Sequence, residues 1–170
     1  MKRKIMLILI ALVTLCIAVG AVSAGEFSFG SQSSSSSSVS SDGDVASVDY
    51  KDGSLKINGV EFKIPSGYEQ KTNETQTGAD ANITGIDGAK VSSATFTNGN
   101  KTIIVKYAYV NNGEINKLTP PAESQNETIS SHAGFLEKHP DGTVTYTYLD
   151  SGKLIQIESP DEATINEILK

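Results

Sequence analysis

Residues 128–170 read TISSHAGFLEKHPDGTVTYTYLDSGKLIQIESPDEATINEILK, and this stretch decides the fold. A strand-like run from Thr128 to Lys138 stops at His139-Pro140-Asp141-Gly142, where Pro and Asp preset a turn and Gly accepts a positive φ. Val144, Tyr146 and Tyr148 then alternate with Thr143, Thr145 and Thr147. That β-branched and aromatic pattern suits a pleated, half-buried strand with its Val and Tyr face toward the core. Ser151-Gly152 turns the chain into LIQIES, residues 154–159, where the adjacent Leu154 and Ile155 leave the inward face ambiguous. Ser159 and Glu162 have the spacing of a capping box, with Pro160 at the first helical position. Ile165, Ile168 and Leu169 form a narrow apolar stripe behind it, enough to cover one face of a sheet. The stretch therefore predicts strand, strand, strand, helix.

Upstream, Ser54–Ile57 and Val60–Ile64 flank Asn58-Gly59, the pair best suited to a two-residue type I′ hairpin because both positions need positive φ. Pro65-Ser66-Gly67-Tyr68 stops that hairpin, and residues 69–91, rich in Thr, Asn, Gln, Gly and Asp, read as a long exposed loop. Strand signals resume at Ser92–Thr97 and Thr102–Val110, around Asn98-Gly99-Asn100. Ile103, Val105, Tyr107 and Tyr109 share one face of the second run, and this face is the one expected to be buried. Asn111-Asn112-Gly113 and Pro120-Pro121 mark an irregular return to residue 128. Asp52-Gly53-Ser54-Leu55 weakly echoes Asp150-Ser151-Gly152-Lys153, which turn chemistry followed by a strand explains without a duplication. The expected fold is α+β: an antiparallel meander of about five to seven strands with the C-terminal helix packed on one face, forming a single domain over residues 48–170.

The first 24 residues have a different logic. Lys2, Arg3 and Lys4 precede an apolar run from Ile5 to Ala24 that closes with Val22-Ser23-Ala24, the small-x-small pattern for cleavage between Ala24 and Gly25. About 20 apolar residues also suffice to span a bilayer, so a retained segment is a signal anchor with the domain outside. Lipidation at Cys16 is a remote third route, because Leu15 stands where a small residue is needed. Residues 25–47 hold the run SQSSSSSSVSS, which has nothing to bury and reads as a flexible spacer. The chain is thus expected to be exported and displayed at the cell surface or outside it, touching membrane only through its N-terminal segment.

Charge and cysteine usage remove several function classes. Loss of Lys2, Arg3 and Lys4 leaves eleven basic against twenty acidic residues, a net charge of −9. Arg3 is the only arginine, so the exported part lacks the fork that reads phosphate and guanine, and no nucleic acid partner is expected. The single cysteine, Cys16, lies in the leader. That excludes an internal disulfide, a thiolate nucleophile in the folded part and a cysteine-based zinc site.

Four tripeptides match the N-glycosylation acceptor, beginning at Asn73, Asn82, Asn100 and Asn126. All use Thr and fall in expected loops or loop edges, with Asn73 and Asn82 the most exposed. His132 and His139 bracket one expected strand; seven residues apart on a pleat, they point to opposite faces, about 20 Å apart. Asp141 belongs to the turn beside His139. A Ser-His-Asp set can be written down but has no nucleophile elbow to support it, and neither a phosphate loop nor a calcium loop is present. Tyr107, Tyr109, Tyr146 and Tyr148 offer a sugar-stacking platform if a face stays open, although core packing suits them better. No catalytic residue, cofactor site or metal site is assigned.

The leader, the Ser-rich spacer, INGVEFKIPSGYE (57–69), ISSHAGFLEK (129–138) and TVTYTYLDSGKLIQIESPDEATINEIL (143–169) together resemble small uncharacterised exported proteins of methanogenic archaea. The resemblance spans the whole architecture, but its motifs are turns, strands and a cap. It implies a surface location and glycosylation, and it carries no activity and no functional residue. The expectation is a non-enzymatic envelope-associated or surface domain, a binding module for a protein or cell-envelope partner. The alternatives are a cell-wall-processing enzyme and an accessory factor of a membrane complex.

Overall fold

The computed structural model describes residues 46–83 and 85–170. The leader with Cys16, the Ala24–Gly25 junction and residues 25–45 of the spacer lie outside the described residues. Ala46 and Ser47, assigned above to the spacer, are already part of the fold. Ala46 packs against the core, and Ser47 and Asn58 exchange backbone and side-chain hydrogen bonds.

The chain is mostly antiparallel β-sheet with one C-terminal helix, an α+β arrangement in two sheets. The small sheet is a meander of β1 (Val48–Lys51), β2 (Ser54–Ile57) and β3 (Val60–Lys63). Asn58 and Gly59 have φ of 49° and 85°, so the hairpin forms around the expected residue pair. Asp52-Gly53 and Ser151-Gly152 also take paired positive φ, and the echo between them is turn chemistry.

The main sheet has eight strands: β4 (Glu69–Gln70), β5 (Gln76–Asp80), β6 (Ala89–Asn98), β7 (Lys101–Val110), β8 (Gln125–Ile129), β9 (His132–Lys138), β10 (Val144–Asp150) and β11 (Lys153–Ser159). Their order is β4-β6-β7-β11-β10-β9-β8, with β5 also paired to β6. Eleven strands among the described residues exceed the expected five to seven, for two reasons. The supposed loop 69–91 holds β4, a 3-10 turn at Thr72–Glu74, β5 and the start of β6. Of these, β4 and β5 lie along a sheet edge, half exposed, with a register shift in β5 between Gln76 and Ala79, so they carry no apolar alternation. The run 128–138, in turn, is broken by Ser130 and Ser131 at φ 48° and 74°, which separates β8 from β9.

Helix α1 (Glu162–Ile168) starts two residues later than the sequence places it and with a different cap, so Pro160 precedes the helix instead of opening it. Asp161 is the N-cap, its Oδ1 accepting from the Thr164 N–H at 2.8 Å and the Thr164 hydroxyl at 2.8 Å. Ser159 ends β11, and its hydroxyl donates to the Asp161 carbonyl at 2.7 Å. The capping box fails because the ladder with β10 extends to Ser159 and holds it in strand conformation two residues before the cap.

The small sheet and α1 cover one face of the main sheet. Leu55, Ile57, Phe62 and Ile64 meet Phe96, Ile103, Val105, Tyr146 and Ile157 there, with Ile165 and Ile168 from the helix, and all are 5% exposed or less. Tyr50 meets Phe96 edge-on at 4.8 Å between ring centroids. Burial of such side chains stabilises by roughly 1.5–3 kcal/mol each. The opposite face carries a smaller apolar cluster at one end, where Ile83 and Ile115 pack with Ala89, Ala108 and Leu154.

Candidate functional site

Pairing fixes which side chains share a face, because residues directly opposite on neighbouring strands point the same way. Next to the smaller apolar cluster, one continuous row on the opposite face runs Ser93, Lys106, Gln156, Thr147, Phe135, Asn126 from β6 to β8. The next row is Thr95, Ile104, Glu158, Thr145, Glu137. Apart from Ile104 and Phe135, both rows are polar or charged. An antiparallel sheet with one apolar and one polar face is the usual result when only one face is packed.

These groups bond to one another. The Lys106 ammonium pairs with the Glu158 carboxylate and donates to Gln156 Oε1 at 3.3 Å. Gln156 Nε2 donates to Thr147 Oγ1 at 3.4 Å. Gln156, Thr147 and Thr145 are buried, whereas the side chains of Lys106, Glu158, Glu137 and His139 keep a fifth to a third of their surface in water. Among the described residues, no buried side-chain nitrogen or oxygen lacks a partner. The result is a polar lattice with its hydrogen bonds made and its charges at the rim.

His139 adjoins this lattice. Its Nε2 lies 2.8 Å from Thr145 Oγ1, and its Nδ1 lies 3.9 Å from Glu137 Oε1. Hydroxyl, imidazole and carboxylate follow one another, as in a hydrolytic relay, but Glu137 is beyond hydrogen-bond reach. Thr145 lies within a strand paired on both sides, so the surrounding backbone N–H groups serve the ladders. His132 lies on the other face at the far end of β9, its ring 4.6 Å from that of Tyr148. The two histidines are thus separated as the sequence requires. Asp141 closes its own turn: its Oδ1 accepts from the Thr143 N–H at 3.0 Å and the Thr143 hydroxyl at 2.6 Å, and these bonds hold its carboxyl below the usual range.

The tyrosine platform is overturned. Tyr107, Tyr109, Tyr146 and Tyr148 are all 5% exposed or less on the covered face. Burial pushes the Tyr148 hydroxyl well above its ordinary pKa. The four acceptor asparagines are all exposed: Asn73 in the 3-10 turn, Asn82 after β5, Asn100 in the β6–β7 turn and Asn126 on the edge strand β8. Exposure therefore does not rank them. Residue spacing gave no hint of the polar rows, because Thr147 and Gln156 look like ordinary strand residues until the register brings them together.

Among the described residues no group of three or more His, Cys, Asp and Glu side chains could hold a metal ion, and no helix is long and apolar enough to cross a membrane. Comparison with models of protein families, with curated proteins and with solved structures finds no match for this chain.

Proposed function

We propose that the protein is a non-enzymatic extracytoplasmic domain, held at or near the cell surface, that binds an envelope partner through the polar face of its main sheet. The observation that supports this is the double row from Ser93 to Asn126 over six strands and from Thr95 to Glu137 over five, in which the part-exposed Lys106, Glu158, Glu137, Phe135 and Asn126 surround a buried, hydrogen-bonded centre of Ser93, Thr95, Thr145, Thr147 and Gln156. Such a surface offers an extended polymer or a protein a few charged and polar contacts at its rim, from Lys106, Glu158, Glu137 and Asn126. The leader and the Ser-rich spacer agree with display on a tether. The test is co-sedimentation of the exported protein with isolated envelopes from its source. Glu137→Lys with Glu158→Lys is expected to lower binding about tenfold or more, a loss typical of a disrupted charge pattern worth about 1.4 kcal/mol. Unchanged binding by this variant sinks the assignment of the surface.

A second reading, a cell-wall-processing hydrolase, is favoured by the Thr145–His139–Glu137 sequence of groups. His139→Ala decides it, since release of soluble fragments from envelope polymer must then stop. The third, an accessory factor of a membrane complex, requires the leader to be retained.

A further inference from the structure

The two edges of the main sheet are finished differently. At one edge β4 and β5 are short, the register shifts between Gln76 and Ala79, and Lys90 pairs with Asp80. Such features deter pairing with another chain. At the other edge β8 is a regular five-residue strand in unbroken register with β9, and four of its five side chains are exposed. Something else must protect it. Asn126 lies in the middle of that strand, followed by Glu127 and Thr128. Directly opposite Asn126 on β9 is Phe135, a half-buried ring on the polar face that packs in neither apolar cluster of the described residues. Directly paired side chains have Cβ atoms about 5 Å apart. A shallow groove of about 500 Å³ runs over these residues, lined by Asn126, Glu127, Thr128, Ala133, Gly134 and Phe135.

We propose that Asn126 is an N-glycosylation site of this protein and that its first sugar ring lies on the face of Phe135, covering the β8 edge. The inference rests on export, which gives the chain access to the transferase. In the reaction the Asn126 amide nitrogen attacks the anomeric carbon of an oligosaccharide carried on a lipid phosphate or pyrophosphate. The C–N bond forms, the C–O bond to phosphate breaks, the lipid-linked phosphate leaves, and the amide gives up one proton. The pyranose then presents its C–H face to the phenylalanine, an apolar contact that removes the exposed ring from water. The remaining sugars project past the unpaired edge of β8 and exclude a neighbouring strand. Asn73, Asn82 and Asn100 have no aromatic ring on a directly paired strand residue; Asn100 lies in a turn, and Asn73 and Asn82 lie outside the strands.

The test uses the full chain purified from its native source, with glycopeptide mass spectrometry and N-terminal mapping, followed by thermal melting of the wild type, Thr128→Val, Phe135→Thr and the double variant. Expected are an occupied Asn126, a Tm lowered by roughly 2–4 °C in Thr128→Val, and a double variant no worse than the poorer single one. Thr128→Val removes the acceptor motif while keeping a strand-forming side chain, so its loss reports the sugar. Occupied Asn126 with additive effects overturns the seat on Phe135. A cleaved or anchored, exported chain with Asn126 bare overturns the site alone. A chain that stays in the cytoplasm overturns export and the site together.

Discussion

The Tyr146 ring lies directly over Gly134: a Cβ built on Gly134 would sit 3.0 Å from Tyr146 Cζ and 2.5 Å from the Thr147 carbonyl oxygen. Gly134 has no need of an unusual φ; it is glycine because β10, through the Thr147 carbonyl and Tyr148 Cβ at 2.8 Å as well as the Tyr146 ring, fills the space a Cβ would take. Through that gap the Tyr146 hydroxyl reaches the outer hairpin, donating to the His132 carbonyl, lying 3.3 Å from the Glu127 carbonyl, and accepting from the Ile129 N–H at 3.4 Å. Gly134→Ala is therefore expected to destabilise by about 1–3 kcal/mol, the range for overpacking. Chemical denaturation checks it.

Tyr146→Phe keeps the ring and removes those bonds. It should cost about 1–2 kcal/mol, since a buried hydrogen bond is lost and backbone groups of the hairpin lose a partner. The damage should be local, and amide hydrogen exchange should rise across residues 127–134 before it rises in β7 or β11. Uniform exchange would show that the hydroxyl does not hold this hairpin.

Ser130 and Ser131 both sit at positive φ without being glycine or asparagine. Left-handed backbone costs an ordinary residue roughly 1–2 kcal/mol. Ser130 has compensation, because its hydroxyl donates to Asn166 Oδ1 of α1 at 3.2 Å. No such bond offsets the conformation of exposed Ser131, so Ser131→Gly should stabilise by about 0.5–1 kcal/mol, the gain left after the extra flexibility of glycine in the unfolded chain. A raised denaturation midpoint with an unchanged slope is the expected result.

The Asp161 cap makes stability depend on acid. Bonds from Thr164, the hydroxyl first and the backbone N–H second, hold the Asp161 carboxyl below its ordinary pKa in the folded state. A carboxyl depressed by folding stabilises fully above its unfolded value, about 3.9, and loses that contribution as the pH falls through the folded value. Asp161→Asn should flatten the stability curve below about pH 4 while keeping a cap; Asp161→Ala should cost about 1 kcal/mol at neutral pH. Glu162→Ala, which a capping box at Ser159 would make damaging, should cost under about 0.5 kcal/mol, because the Glu162 side chain is part-exposed and its ion pair with Lys138 is long, at 3.7 Å.

Local chemistry was legible in the sequence wherever a residue type has few conformational alternatives. Asn58-Gly59 placed its hairpin, Ser151-Gly152 placed the β10–β11 turn, and the buried face of β7 is the one its alternation names, with Ala108 buried from the other side. The ambiguity at Leu154 and Ile155 was itself the signal of a strand buried on both faces, since Leu154 faces the smaller cluster and Ile155 the larger. Ser130-Ser131 was hidden because serine does not announce a left-handed turn. The polar face was hidden because it arises from register between strands as far apart as Lys106 and Gln156, which are joined by no local pattern.

The last strand in the chain, β11, stands in the middle of the sheet, between β7 and β10. Until residue 159 has emerged, the hairpin ending in β7 and the group β8–β9–β10 each present an unpaired inner edge rich in β-branched and aromatic residues. Truncation of the chain just after Asp150 therefore leaves two sticky half-sheets. The described strands of both sheets all lie after Ala46.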